Sequence, residues 1–239
     1  MRDICPRALR GKLLTALLLS CLFAGTAAAQ ASRIDTNALT EETQKSHPDP
    51  DRMALVWWIP DEFWEATLAQ DPTTSKAQAD AFLKTVRPYL IFGVVDGKMG
   101  AFGGVTYKSE ATIRSTIQVV DAQGVTHLPL AHEKVDADTR NLLAMMKPVL
   151  TNVIGKTGEN LHFVLFPASD AAGRKIADAN KEGTLTLKLG ADVFKWRLPL
   201  ASLLPPKVCP VDGEQLSGGW KFCPWHGERL VPKPDGKRF

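Results

Sequence analysis

What most constrains this chain is a series of short apolar runs separated by tight-turn residues. Met53 to Ile59, MALVWWI, is continuously apolar and holds Val56, Trp57 and Trp58. A short run rich in β-branched and aromatic residues reads as a buried strand. YLIFGVV, Tyr89 to Val95, is a second such run. Asp96-Gly97 behind it is a strong hairpin signal, predicting a return strand from Met99 to Tyr107 bent at Gly100, Gly103 or Gly104. ATIRSTIQVV alternates apolar with polar residues and reads as a further strand, and VTHLPL with Pro129 as an edge strand. LHFVLF, Leu161 to Phe166, is another. TLTLKL and DVFKWRLPL form a hairpin across Gly190-Ala191, with Leu185, Leu187, Leu189, Phe194, Trp196 and Leu198 facing inward. Strands joined by turns this tight pair antiparallel.

Helical spacing interrupts the strands in three places. Pro60-Asp61-Glu62 opens a helix bearing Phe63, Trp64 and Leu68, since proline suits a first turn and acids suit its positive end. A second helix is expected from Thr74 to Val86. The third runs from about Ala137 to Ile154, where Leu142, Met145, Met146, Val149, Leu150 and Val153 share one face and Pro148 predicts a kink. A short helix is expected around Arg174 to Ala179. The fold class is therefore α+β: a largely antiparallel sheet with a packed amphipathic helix, spanning residues 53–204.

The ends of the chain read differently. Residues 1–29 combine Arg2, Arg7, Arg10 and Lys12 with an apolar stretch from Leu13 to Gly25 and the small pair Ala27 and Ala29. Those are the parts of a secretory signal peptide, and the apolar stretch falls short of the roughly 20 residues of a membrane helix. A periplasmic or secreted protein is expected. The alternative is a lipid-anchored envelope protein, with Leu18-Leu19-Ser20-Cys21 as a lipobox. Residues 30–52, polar and containing His47-Pro48-Asp49-Pro50, read as a flexible leader. Without residues 1–29 the chain holds 25 basic and 25 acidic residues. That balance argues against a nucleic-acid partner, which would require a basic surface. The partner expected is a protein or small ligand, with membrane contact only through the signal peptide or Cys21.

Past Pro205-Pro206 the composition shifts to Gly, Pro, Cys and Trp. CPVDGEQL, from Cys209, returns fourteen residues later as CPWHGERL, from Cys223, within a module of residues 205–230; a basic tail, 231–239, follows. So few aliphatic residues cannot hold a module together without a metal or a disulfide. Each copy resembles half of a zinc ribbon, a family built from two C-P-x-C-G knuckles. The resemblance implies a structural zinc held by Cys209, Asp212, Cys223 and His226, with Asp212 and His226 standing where the pattern has cysteine. Zinc accepts all three residue types, and the glycine after each pair lets backbone amides face the thiolate. A Cys209–Cys223 disulfide is the alternative staple, permitted in an exported protein. Trp220 and Trp225, too large for a small module to hide, are candidate partner contacts. His127, His132 and His162 read as surface or buried histidines, and the sequence contains neither G-x-S-x-G nor H-E-x-x-H. The expectation is an exported, non-catalytic binding or structural protein. The alternative is an exported enzyme using Asp61, Glu62 or His132.

Overall fold

The computed structural model describes residues 34–233. The signal-like segment 1–29, Cys21 within it, and the end of the basic tail lie outside the described residues.

The first element corrects the expectation of a flexible leader. Helix α1, Thr36–Thr43, is capped by Asp35, whose carboxylate accepts from the amides of Asn37 and Ala38. Leu39 and Thr43, one turn apart, are both fully buried. Three further bonds fasten this helix to the far end of the fold. Glu42 accepts from the amides of Ala201 (2.7 Å) and Ser202 (2.8 Å), and the Thr43 carbonyl accepts from the Trp196 indole at 2.9 Å. Strand β1, Gln44–Ser46, follows and pairs with β2, Arg52–Ile59. The Pro-Asp-Pro run only turns the chain between them.

Helix α2, Asp61–Gln70, starts behind Pro60 as expected, and α3, Lys76–Val86, begins at a capping box of Ser75 and Gln78. Strand β3, Tyr89–Met99, is the spine of the first sheet. It pairs antiparallel with β2 along one edge. Its other edge is shared by β7, His162–Pro167, and the short β4, Val105–Tyr107. Asp96-Gly97 is therefore not a turn: Gly97 sits in the ladder opposite Met53 and Tyr107. The chain reverses instead at residues 100–104, where Gly103 takes a φ of 84°. ATIRST also departs from expectation. Ser109 caps a helix, α4, Glu110–Thr116, and only Ile117–Val120 is strand, β5. Local capping by Ser109 outweighs the alternation of Thr112, Arg114 and Thr116.

The second sheet has the order β6, β5, β8, β9, with β6 at Thr126–His127, β8 at Gly183–Leu189 and β9 at Asp192–Leu198. Its β8–β9 hairpin turns at Gly190 and buries all six residues expected to face inward. Residues 174–179 are irregular rather than helical, held by a Ser169–Lys175 bridge. Aromatic rings join the sheets: Trp196 lies 6.1 Å from Trp58 and 5.8 Å from Phe92, which in turn lies 5.8 Å from Phe166. Helix α5, Ala137–Ile154, runs through Pro148 without interruption. It buries Thr139, Leu143 and Leu150, with Leu142 and Met146 partly buried, whereas Met145 and Val149 are exposed. The buried stripe is thus rotated from the expected face toward Leu143. The described residues form an α+β fold with mostly antiparallel sheets.

An ion cluster clasps the two sheets. The Arg52 guanidinium on β2 binds Asp96 on β3 and the Gly97 carbonyl, and it reaches Asp192 at the start of β9 with contacts of 2.7 and 3.0 Å. Lys108 adds a 2.8 Å bond to Asp96, whose side chain has no exposed surface. His47 stands 3.5 Å from Asp192.

Beyond residue 204 lies a small sheet with β10, Lys207–Val208, between β11, Gln215–Leu216, and β12, Val231–Pro232. It presses on the preceding segment through glycine. A Cβ on Gly218 would stand 2.3 Å from the Pro205 carbonyl oxygen, so no other residue fits there without displacing backbone. Among the described residues no helix is long and apolar enough to cross a membrane.

Candidate metal centre

The repeated phrase folds twice into the same loop. The Cys209 amide donates to the Glu214 carbonyl at 2.9 Å, and the Gly213 amide returns to the Cys209 carbonyl at 2.9 Å. In the second copy Cys223 donates to Glu228 at 2.7 Å, and Gly227 donates to Cys223 at 2.9 Å. Val208 pairs with Gln215 and Phe222 with Arg229, so even the flanking bridges keep the fourteen-residue offset. Gly213 and Gly227 close the loops at φ of 76° and 69°, a left-handed conformation that a Cβ disfavours.

Each loop turns backbone amides toward its own sulfur: those of Val211 and Asp212 toward Cys209, and those of Trp225 and His226 toward Cys223. Such amides stabilise a thiolate. Both sulfurs also face a single imidazole. His226 Nδ1 lies 3.4 Å from Cys209 Sγ and 3.5 Å from Cys223 Sγ. Zinc–sulfur bonds of about 2.3 Å and zinc–nitrogen bonds of about 2.0–2.1 Å place sulfur and nitrogen about 3.5 Å apart across a tetrahedral edge. The observed separations match that edge. The ligand atoms of Cys209, Cys223 and His226 all lie within 4.8 Å of one another, close enough to share one metal ion.

Electrostatics divide the two thiols. Burial pushes Cys209 up. Burial also opposes ionisation of Cys223, but the amides of His226 and Trp225 and the imidazole of His226 outweigh it and hold this thiol below its ordinary value. The same contact with Cys223 raises His226.

Asp212, expected as a fourth ligand, stands at the edge of the group rather than in it. Its Oδ1 accepts from the Glu214 amide at 2.9 Å, which lowers its pKa, and its Oδ2 lies 3.7 Å from His226 Nδ1. One oxygen is committed to closing the knuckle and the other is turned toward the imidazole. Both cysteines are free thiols here, buried to 1% and 2% exposure. Trp220 and Trp225 are 47% and 72% exposed, and Val211 and Phe222 are exposed as well. The module's two tryptophans thus face solvent while its sulfurs are covered.

The remaining candidates separate. His127 donates to or accepts from buried Asp121 at 2.9 Å and pins a turn. His132 is exposed on a short helical turn. His162 is half-buried, with Nδ1 3.8 Å from Glu110, and burial lowers its pKa, with Lys147 adding to the effect. Asp61 and Glu62 line a cleft of about 30 Å³ together with Trp58, Tyr89 and Lys175. Lys175 Nζ lies 3.5 Å from Asp61, and Asn180 donates to Glu62 at 2.5 Å. Lys175 and Asn180 come from a distant segment that nothing in the sequence ties to Asp61. The cleft has room for a water molecule or two.

Burial holds both carboxyls of the cleft above the ordinary carboxylate range. Just above that range the native state then binds more protons than the unfolded chain, so stability falls as pH rises through this window. We expect Glu62→Gln to flatten this decline, read from urea midpoints over a series from about pH 4 to about pH 7. An unchanged slope would show that Glu62 ionises as freely in the fold as in the unfolded chain.

Comparison with models of protein families, with curated proteins and with solved structures finds no match to this chain. The fold and the Cys209, Cys223 and His226 cluster therefore carry the functional reading.

Proposed function

We propose that the chain is an exported, non-catalytic binding protein whose C-terminal module is a zinc-ribbon-like staple presenting Trp220 and Trp225 to a partner. The observation that carries this reading is the placement of two sulfurs at tetrahedral-edge distance from one imidazole nitrogen. Two thiolates and a histidine suit zinc better than calcium or magnesium, which take oxygen ligands. Asp212, or a water, completes the tetrahedron. Nothing in the ligand set demands chemistry of the metal, and holding two loops together is the work such an ion does in a module this small. The exposed indoles support the binding role, since aromatic residues with a polar handle dominate protein contacts.

The test is elemental analysis of purified protein together with intact mass under non-reducing conditions. For mature protein without residues 1–29, the reading expects about one zinc per chain and two titratable thiols after denaturation with a chelator. Protein about 2 Da light and free of zinc would establish the disulfide staple instead. The enzyme reading draws on the desolvated Asp61 and Glu62. Turnover in a hydrolysis screen that Glu62→Gln abolishes would replace the binding role with catalysis.

A further inference from the structure

The arrangement of the sulfurs bears on more than metal retention. Cys209 and Cys223 are the only cysteines among the described residues, and both belong to the cluster. A tetrahedral site holds its two sulfurs about 3.8 Å apart, whereas a disulfide needs about 2.05 Å. Each sulfur has to travel only about 1 Å. Each also hangs from a loop closed by its own pair of backbone hydrogen bonds, so the side chains can swing together while both loops keep their shape. Among the described residues no third thiol competes for either sulfur.

Resting on the metal reading above, we propose that Cys209 and Cys223 form an oxidation site that releases the ion: a peroxide joins the two sulfurs and ejects the zinc. In the balanced step, two thiolates, one hydrogen peroxide and two protons give one disulfide and two waters. The sulfurs together lose two electrons and the peroxide O–O bond takes them up. Losing both thiolates at once leaves His226 and the partly committed Asp212, an imidazole and a carboxylate oxygen, which cannot retain zinc. A site with four thiolates would keep two after the same step. With two thiolates, one oxidation event empties the site entirely. The sulfurs are covered, but the side chains of His226 and Asp212 are 36% and 41% exposed, so a small oxidant enters from that side. The module exchanges one staple for another, so the loops stay joined when the ion leaves.

The experiment treats zinc-loaded mature protein, purified after export and without residues 1–29, with hydrogen peroxide and follows zinc with a chromogenic chelator and intact mass in parallel. The expected result is release of one zinc for each chain that becomes about 2 Da lighter, reversed by dithiothreitol and added zinc. Ion loss accompanied by products about 16 or 32 Da heavier would overturn the proposal, because the sulfurs would then have oxidised separately. Metal-loaded protein that keeps its zinc under excess peroxide would overturn it as well, and would leave the metal reading standing. Reduced protein that never binds zinc would overturn the metal reading and this proposal with it. Far-UV circular dichroism on the oxidised sample separates release from unfolding, since the proposal requires the spectrum of the body to persist.

Discussion

If Cys209, Cys223 and His226 hold zinc as proposed, Cys223→Ser abolishes zinc binding and frees the segment after Pro205 to proteases, while the body of residues 34–204 keeps its fold. The reason is the difference between the two parts. The module's buried apolar cluster consists of Cys209, Cys223 and Leu230, with Leu216 against it. A core of that size cannot offset the entropy of ordering some 25 residues at about 1–2 kcal/mol each. Structural zinc in small peptides is worth about 10–16 kcal/mol of apparent binding energy, and one of two thiolates supplies a large share of it. The expected zinc content of Cys223→Ser is below about one tenth of an ion per chain, and Cys209→Ser should match it. His226→Ala should lose most of the metal. Asp212→Ala should lose the least, because Oδ1 is engaged by the Glu214 amide and Oδ2 stands only near the group. Elemental analysis and limited proteolysis read this order. Full zinc occupancy in Cys223→Ser would remove the sulfurs from the site.

The largest effect on the body is expected from Arg52→Met. Among the described residues the guanidinium is the only group that touches both Asp96 on the first sheet and Asp192 on the second. Its removal leaves the fully buried Asp96 with Lys108 alone, and Asp192 with a histidine 3.5 Å away. Breaking a buried ion pair from one side costs about 3–5 kcal/mol, because the surviving charge stays desolvated. We expect a loss in that range from urea unfolding, with less dependence on salt than an exposed pair shows, since the Asp96 carboxylate is fully buried. Arg52→Met combined with Asp96→Leu should recover part of the loss by removing the stranded charge. A loss under about 1 kcal/mol would place the cluster with surface pairs, which contribute little.

The same cluster explains the plainest error of sequence reading. Asp96-Gly97 carries the composition of a hairpin turn, yet it lies inside an eleven-residue strand. Its partners come from positions 44 residues earlier and 12 residues later, and no local pattern contains them. What turn chemistry sees as a polar break is the anchor of an ion pair. The N-terminal helix was legible in principle: Asp35 caps it, and Leu39 and Thr43 fall one turn apart on its buried side. The prolines at 48 and 50 lie past its end and bear only on the turn before β2. Strands Met53 to Ile59, Tyr89 to Val95 and the hairpin around Gly190 were legible because burial on both faces, or strict alternation, writes itself into the residues. The candidate metal centre was legible for a different reason, as a duplicated sentence. The repeat told that two loops are alike, but not that Asp212 would spend an oxygen on its own backbone. The acidic cleft was only half visible, since Lys175 and Asn180 reach it from more than a hundred residues away.

The bonds from Glu42 to Ala201 and Ser202, and from the Trp196 indole to Thr43, have a mechanical consequence. They bring the opening and the close of the body together like the two ends of a belt at its buckle. Fraying, which in most domains starts at a loose terminus, finds no free end here. A pull on the chain just before Asp35 is passed directly to the residues that lead into the C-terminal module, without first unravelling the sheets between. A hold on the first helix therefore also steadies the residues that lead to the exposed Trp220 and Trp225.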